Sequence, residues 1–311
     1  MELQNIVDRL RGNLPSDVKL RPSSKNSKSS SLRIIPENGE LPHETLRRIF
    51  KVEVSDWEEK FDEATLGPGE EKKNILTLHS SALLALLCFS HVSQENPLEI
   101  DGIKYTKRWF EVRNRVFRGP SCIDVVLRSN DDDVLFIESK FTELLNDSSP
   151  NIKMAYFDTY KRLLPLIPDR PLQFVYPKIF KEQGKEIVGF TIQPTSKDDE
   201  FSHLYLYGIK QCISHIIGLV KGPVDREEAC WVGIDTRKIR FATICYGIKE
   251  CEEFTSYQKF YAQTIGQFNT SDIRKLFQDR VTVIAKILTY QEIFKKDSFK
   301  LPNEIRDFYG L

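Results

Sequence analysis

Asp124, Glu138 and Lys140 are the residues whose types and spacing best suit chemistry in this chain. Val134–Ile137 is an apolar run that leads straight into Glu138-Ser139-Lys140 before Phe141 closes it. Strand side chains alternate between faces, so Phe136, Glu138 and Lys140 share one face and Ile137, Ser139 and Phe141 the other. The polar stretch "RSNDDD" (128–133) separates this run from Ile123–Leu127. It predicts an antiparallel hairpin, and that hairpin brings Asp124 beside Glu138. Two carboxylates at strand ends suit Mg2+, which takes oxygen ligands and leaves its other positions to water and phosphate. Such an ion stabilises charge on a phosphoryl oxygen and lowers the pKa of an attacking water. A lysine beside it can orient or deprotonate that water, or stabilise the charged centre. Three charges buried there without a function would be costly.

Asp124 followed, fourteen residues on and across a hairpin, by Glu138-Ser139-Lys140 resembles the signature of the PD-(D/E)xK nuclease superfamily. Ile123 stands where the proline of that name would be, and Pro120 lies four residues before the aspartate. The resemblance covers this core and, more loosely, residues 70–250. It implies an α/β fold, a restriction-endonuclease-like α/β/α sandwich around a mixed central sheet, and hydrolysis of DNA phosphodiester bonds. Under it, Asp124, Glu138 and the backbone carbonyl of Ser139 hold Mg2+, with Mn2+ able to substitute. Lys140 activates or stabilises the attacking water, and Gln211 positions the water or the phosphate. In "YGIKQCISHIIGLV" (207–220), helical spacing puts Tyr207, Gln211, His215 and Gly218 on one face. A glutamine with an aromatic ring four residues later lines the site in helicase-associated members. Here the second position is His215, so Gln211 carries over and His215 reads as a packed or surface histidine, as does His79. Members often add a glutamate from the element before the first strand, and Glu70, Glu71 and Glu111 all remain open for that place. A restriction or defence role follows from the resemblance alone.

Around these residues the pattern predicts alternating strands and helices, hence an α/β domain. Residues 15–33, rich in serine and basic, read as a mobile arm. An amphipathic stretch at 41–64 is broken by "LGPG" at 66–69, and 70–93 reads as one helix. Strands are predicted over Tyr105–Val116, Ile123–Leu127 and Val134–Glu138, a helix over Ile152–Leu164, and a strand pair at "LQFVYPKIF" and "EIVGFTIQP". A helix comes next over 202–220, then β structure over 229–248, and mainly helix from Thr255. The organisation read from this is an N-terminal arm and helical lead-in (1–65), a nuclease-like core (66–254) with an insertion at 141–201, and a C-terminal helical segment (255–311). The insertion and the C-terminal helices are natural places for sequence recognition or for a homodimer interface.

Composition narrows the partners. Forty-five basic and forty-five acidic residues cancel, so attraction to a polyanion must come from local charge. "KYTKRWFEVRNRVFR" (104–118) carries six basic residues, Lys104, Lys107, Arg108, Arg113, Arg115 and Arg118, against one acidic residue. Tyr105, Trp109 and Phe110 interleave with them, as a DNA-tracking surface would require. A solvated strand face explains the same run equally well. No stretch approaches eighteen apolar residues, which argues against a membrane span. The six cysteines form no CxxC pair, pointing to a reducing cytoplasm. Glu138 and Lys140 also admit a plainer reading as a salt bridge at a strand edge. The function competing with the nuclease is accordingly a non-catalytic module that binds nucleic acid or protein.

Overall fold

A computed structural model describes residues 2–22, 31–37, 39–66, 74–115, 120–145, 151–153, 175–182, 184–192, 206–221, 239–276, 278–279, 281–295 and 298–311. At its centre is a mixed seven-stranded sheet. Its antiparallel half comprises β3 (Leu98–Ile100), β4 (Ile103–Arg115), β5 (Pro120–Ser129) and β6 (Val134–Lys140), each beside the next. β10 (Ile239–Cys245) runs parallel to β6, and β11 (Val281–Val283) and β12 (Leu288–Thr289) run parallel to β10. β6 is therefore interior to the sheet and buried along its whole length, which is why its sequence is a continuous apolar run until Glu138. The β5–β6 turn closes as its composition predicts. Asp132 takes the left-handed φ of 62°, and Arg128 Nε donates to its carboxylate at 2.9 Å.

Helices cover both faces of the sheet, making the chain a mixed α/β protein. Leu135 and Ile137 pack on one side with α1 (Glu2–Gly12), α2 (Pro42–Phe50), α3 (Trp57–Ala64) and α4 (Ser81–Phe89). Val134 and Phe136 point to the other side, against α5 (Leu206–Lys221), α6 (Glu252–Ile265) and α7 (Ser271–Leu276). The last helices, α8 (Tyr290–Phe294) and α9 (Asn303–Tyr309), return to the first face. A separate three-stranded sheet holds β8 (Val175–Glu182) and β9 (Lys185–Ile192) as a hairpin, with β7 (Asn151–Lys153) on the outer edge of β9. No helix among the described residues is long and apolar enough to cross a membrane. No disulfide forms among the five described cysteines, and Cys230 lies outside the described residues.

Several expected elements differ. Of the helix expected over 70–93, residues 70–73 lie outside the described residues, and in the described part α4 is the continuous helix. Ser80 caps it by accepting from Leu83 N–H at 3.3 Å, while Thr77 forms an isolated antiparallel bridge with Arg33 of β2 (Leu32–Ile34). Leu76 O accepts from Ile34 N, and Leu78 N donates to Leu32 O, each at 3.0 Å. Those backbone groups serve a sheet-like contact and are lost to a helix. In the expected arm, β1 (Leu20–Pro22) pairs antiparallel with β2, and 23–30 lie outside the described residues. The helix expected at 152–164 begins as strand β7, and 154–164 are likewise outside. Of the β structure expected at 229–248, the described part is β10. The segment after 255 is not only helical, because β11 and β12 complete the central sheet.

Candidate active site

β5 and β6 stop pairing just where the charged residues begin. The ladder runs from Arg128 opposite Val134 to Val125 opposite Ile137. One step further, where Asp124 would face Glu138, the Asp124 side chain takes over: its Oδ2 accepts from Ser139 N–H at 2.6 Å. On the other side of β5, pairing with β4 is interrupted at the same residue. Phe110 faces Val125 and Val112 faces Ile123, leaving Glu111 across from Asp124. Glu111 has a φ of 48°, in the left-handed region. A residue in that conformation kinks a strand and re-aims the side chains beyond it. Both strands change face there. Phe110 and Val125 belong to the core on the α4 side, whereas Val112 and Ile123 belong to the core on the α5 side.

Glu138 is the hub. It is 1% exposed, and each carboxylate oxygen has a cationic or imidazole partner. Lys140 Nζ lies 2.5 Å from Oε1, reaching back along the same strand face. His215 Nε2, from α5, lies 2.7 Å from Oε2. Burial alone pushes the Glu138 carboxyl up, but the Lys140 ammonium and then His215 outweigh it and bring it down to about 2. Asp124 is half-buried and goes the other way. Burial first, then the Glu138 charge, raise it well above the usual carboxyl range, only partly opposed by Lys140 and by the Ser139 N–H. Glu143, whose carboxylate accepts from Phe141 N–H at 2.6 Å, adds to that upward push.

His215 is held from behind. Ser121 Oγ makes a short hydrogen bond to Nδ1, so the imidazole bridges Ser121 on β5 and Glu138 on β6. The parallel register sets Thr243 beside Glu138 and Cys245 beside Lys140. Thr243 Oγ1 lies 3.2 Å from Cys212 Sγ, and burial with the Glu138 charge pushes that thiol up to about 12, which leaves it an inert packing group. On the opposite face Ser139 Oγ meets Tyr290 OH at 2.7 Å, as strand alternation requires.

The expected set is therefore brought together in part. Asp124, Glu138, Ser139 and Lys140 cluster at one end of β5 and β6. Gln211 sits one helical turn before His215 on the same face of α5; its Oε1 is buried and has no hydrogen-bond partner among the described residues. Of the three candidate glutamates, Glu111 is buried across from Asp124, while Glu70 and Glu71 lie outside the described residues. In the described part of the basic run, two of the aromatics expected to interleave on the surface are buried instead. Tyr105 and Phe110 are core residues, and Arg108 is engaged by Asp56 at 2.5 Å. Lys104, Lys107 and Arg113 are exposed, with Arg113 donating to Leu66 O at 3.0 Å. The Arg115 side chain and Arg118 lie outside the described residues.

His215, read from the sequence as a packed or surface histidine, lies at the site. Its signal was the four-residue spacing from Gln211. Ser121 had no signal, because nothing in the sequence announces the face switch at Glu111 that turns it toward His215.

Among the described residues, no three His, Cys, Asp or Glu side chains converge as a ready-made metal cage. The donor chemistry still fits a hard divalent ion, since the cluster offers carboxylate oxygens from adjacent strands. A carboxyl raised by burial beside a second carboxylate marks a position that favours added positive charge. No family model, curated protein or solved structure matches the chain.

Proposed function

We propose that this protein is a metal-dependent nuclease of the restriction-endonuclease-like kind, hydrolysing phosphodiester bonds in DNA. One observation carries the reading: at one end of two adjacent central strands Lys140 pairs with Glu138 at 2.5 Å, and Asp124 accepts from the N–H of the intervening Ser139 at 2.6 Å. Asp124 and Glu138, with the Ser139 carbonyl, would hold Mg2+ or Mn2+. When bound, such an ion polarises the scissile phosphate and acidifies an attacking water. Lys140 supplies a preorganised positive charge at the same place, in a buried setting where that charge is poorly screened by solvent. Gln211 positions the water or the phosphate, and exposed Lys104, Lys107 and Arg113 are the described candidates for contacting the DNA backbone. Cysteines with no disulfide among the described residues suit a reducing, cytoplasmic setting.

A second reading draws on the closed pairing of Glu138. With both oxygens engaged by Lys140 and His215, the cluster equally suits a non-catalytic binding module in which these charges hold α5 to the sheet. Supercoiled plasmid incubated with Mg2+, Mn2+ or EDTA separates the two. The nuclease reading expects metal-dependent nicking that falls ~10²–10³-fold in Lys140→Ala, the usual cost of one preorganised group. Lys140→Ala also leaves a buried carboxylate short of a partner, at a cost of about 3 kcal/mol. Lys140→Arg, which keeps the counter-charge, is therefore run beside it to control for folding. Absence of cleavage by the wild type under every metal condition, with DNA still shifted on a gel, would favour the binding module.

A further inference from the structure

We propose that His215, aimed by Ser121, sets how readily Glu138 accepts a cation: its imidazole holds the oxygen a metal would use and must leave it when one binds. The inference rests on the nuclease reading above. His215 Nε2 lies 2.7 Å from Glu138 Oε2, close but off the line of a well-aligned hydrogen bond, and because a carboxylate only accepts, any hydrogen bond made there is donated by the ring N–H. In the neutral ring Nδ1 is then an acceptor, and the Ser121 hydroxyl donates to it. The contacts at Nδ1 and Nε2 together set the angle of the imidazole. Ser121 reaches this position because β4 and β5 change face at Glu111 and Asp124.

The two carboxylates are held differently. Asp124 is half-buried, and its carboxylate accepts from one backbone N–H, that of Ser139. A cation would therefore meet Asp124 first and recruit Glu138 second. Lys140 occupies Oε1 and can stay there; the contact that must open is the one at Oε2. The candidate acceptor for the departing N–H is on the same helix. Gln211 Oε1 is buried, lacks a hydrogen-bond partner among the described residues, and lies one turn away on the same face of α5. Buried acceptors without partners are uncommon and favour a conformation that fills them.

The test is Mn2+ binding without DNA, followed by the electron paramagnetic resonance signal of free Mn2+ at one fixed pH. His215→Ala should bind Mn2+ more tightly by roughly tenfold, the equivalent of one hydrogen bond to a charged group. His215→Gln serves as a bulk-preserving control, and Ser121→Ala should shift affinity in the same direction by less. Gln211→Leu should weaken binding in the wild-type background and change nothing in the His215→Ala background. General damage to the fold would weaken binding in every variant, so a tighter variant is not a structural artefact. Weaker binding in His215→Ala would make the imidazole a ligand and overturn the proposal, as would affinities that do not change at all. If neither wild type nor any variant binds Mn2+, the nuclease reading falls, and this inference with it. Binding by His215→Ala alone would support both.

Discussion

Asp124 and Glu138 titrate in opposite directions, and that contrast says what each does for stability. Glu138 is drawn from an ordinary 4.5 to about 2. The stability it contributes is therefore present above the ordinary carboxyl range and is lost as the pH falls toward 2. Asp124 is raised, so the folded protein holds its proton more tightly than the unfolded chain does. Its favourable contribution exists below the ordinary carboxyl range and is lost as the pH rises through the folded value. Above the ordinary carboxyl range Asp124 is a net cost to the fold, retained in a place where the proposed chemistry needs it. Asp124→Asn keeps an acceptor for Ser139 N–H and removes the charge. In EDTA at about pH 7 it should melt at a higher temperature than wild type, while plasmid cleavage in Mg2+ is lost. The gain in melting temperature should shrink as the pH drops below the ordinary carboxyl range, where wild-type Asp124 is protonated in both states. A variant that melts lower at neutral pH would show that Asp124 stabilises the fold after all.

The strands that carry the site were legible because their signals are local. Val134–Ile137 is a buried run with a polar turn before it, and the β5–β6 hairpin follows from those residues. Asp124, Glu138 and Lys140 could be grouped on the same basis. The parts that escaped depend on distant partners. Residues 76–78 read as helix and instead bridge to β2 through Thr77, and β11 and β12 are too short to announce themselves until β10 offers an edge. The Glu111 kink is set by tertiary packing, and glutamate has no special preference for a φ of 48°. α8 shows how a late element fixes the site: it begins with the reciprocal cap of Thr289 and Glu292, and its Tyr290 hydroxyl meets Ser139 Oγ from the face opposite Glu138. Tyr290→Phe removes one buried hydrogen bond and should lower unfolding free energy by about 1 kcal/mol in urea titration. An unchanged midpoint would mean that Ser139 is held by other contacts, such as the Ser81 carbonyl 3.4 Å away.

The N-terminal helix belongs to the same core as the C-terminal one. Ile6 and Leu10 of α1 are buried in a cluster that also holds Phe308 and Tyr309 of α9. Asn13 Nδ2 donates to the carbonyls of Asp307 and Phe308 at 2.9 and 3.1 Å. Tyr246, just after β10, ties the two together: it takes a hydrogen bond from Arg9 and donates to Tyr309 O at 2.5 Å. Removing residues 1–13 exposes these apolar groups and breaks that link at once. The expected outcome is a single cooperative melt displaced to lower temperature, with faster proteolysis near residue 309 as well as at the new N-terminus. Two separate transitions would instead indicate that α1 and α9 form a unit independent of the sheet.

The parallel pairing of β6 with β10 has a kinetic side. Val134 lies opposite Ile239, so the strand bearing Glu138 and Lys140 waits for a partner more than a hundred residues further along the chain. Contacts of such long sequence separation slow folding, because loop closure precedes any reward from pairing. A chain still emerging during synthesis can form the β5–β6 hairpin early, yet it has neither His215 nor Thr243 to enclose Glu138. The charged cluster is thus assembled late, after most of the polypeptide exists. A partly made chain carries its acidic residues in water, where they neither share a site nor act together.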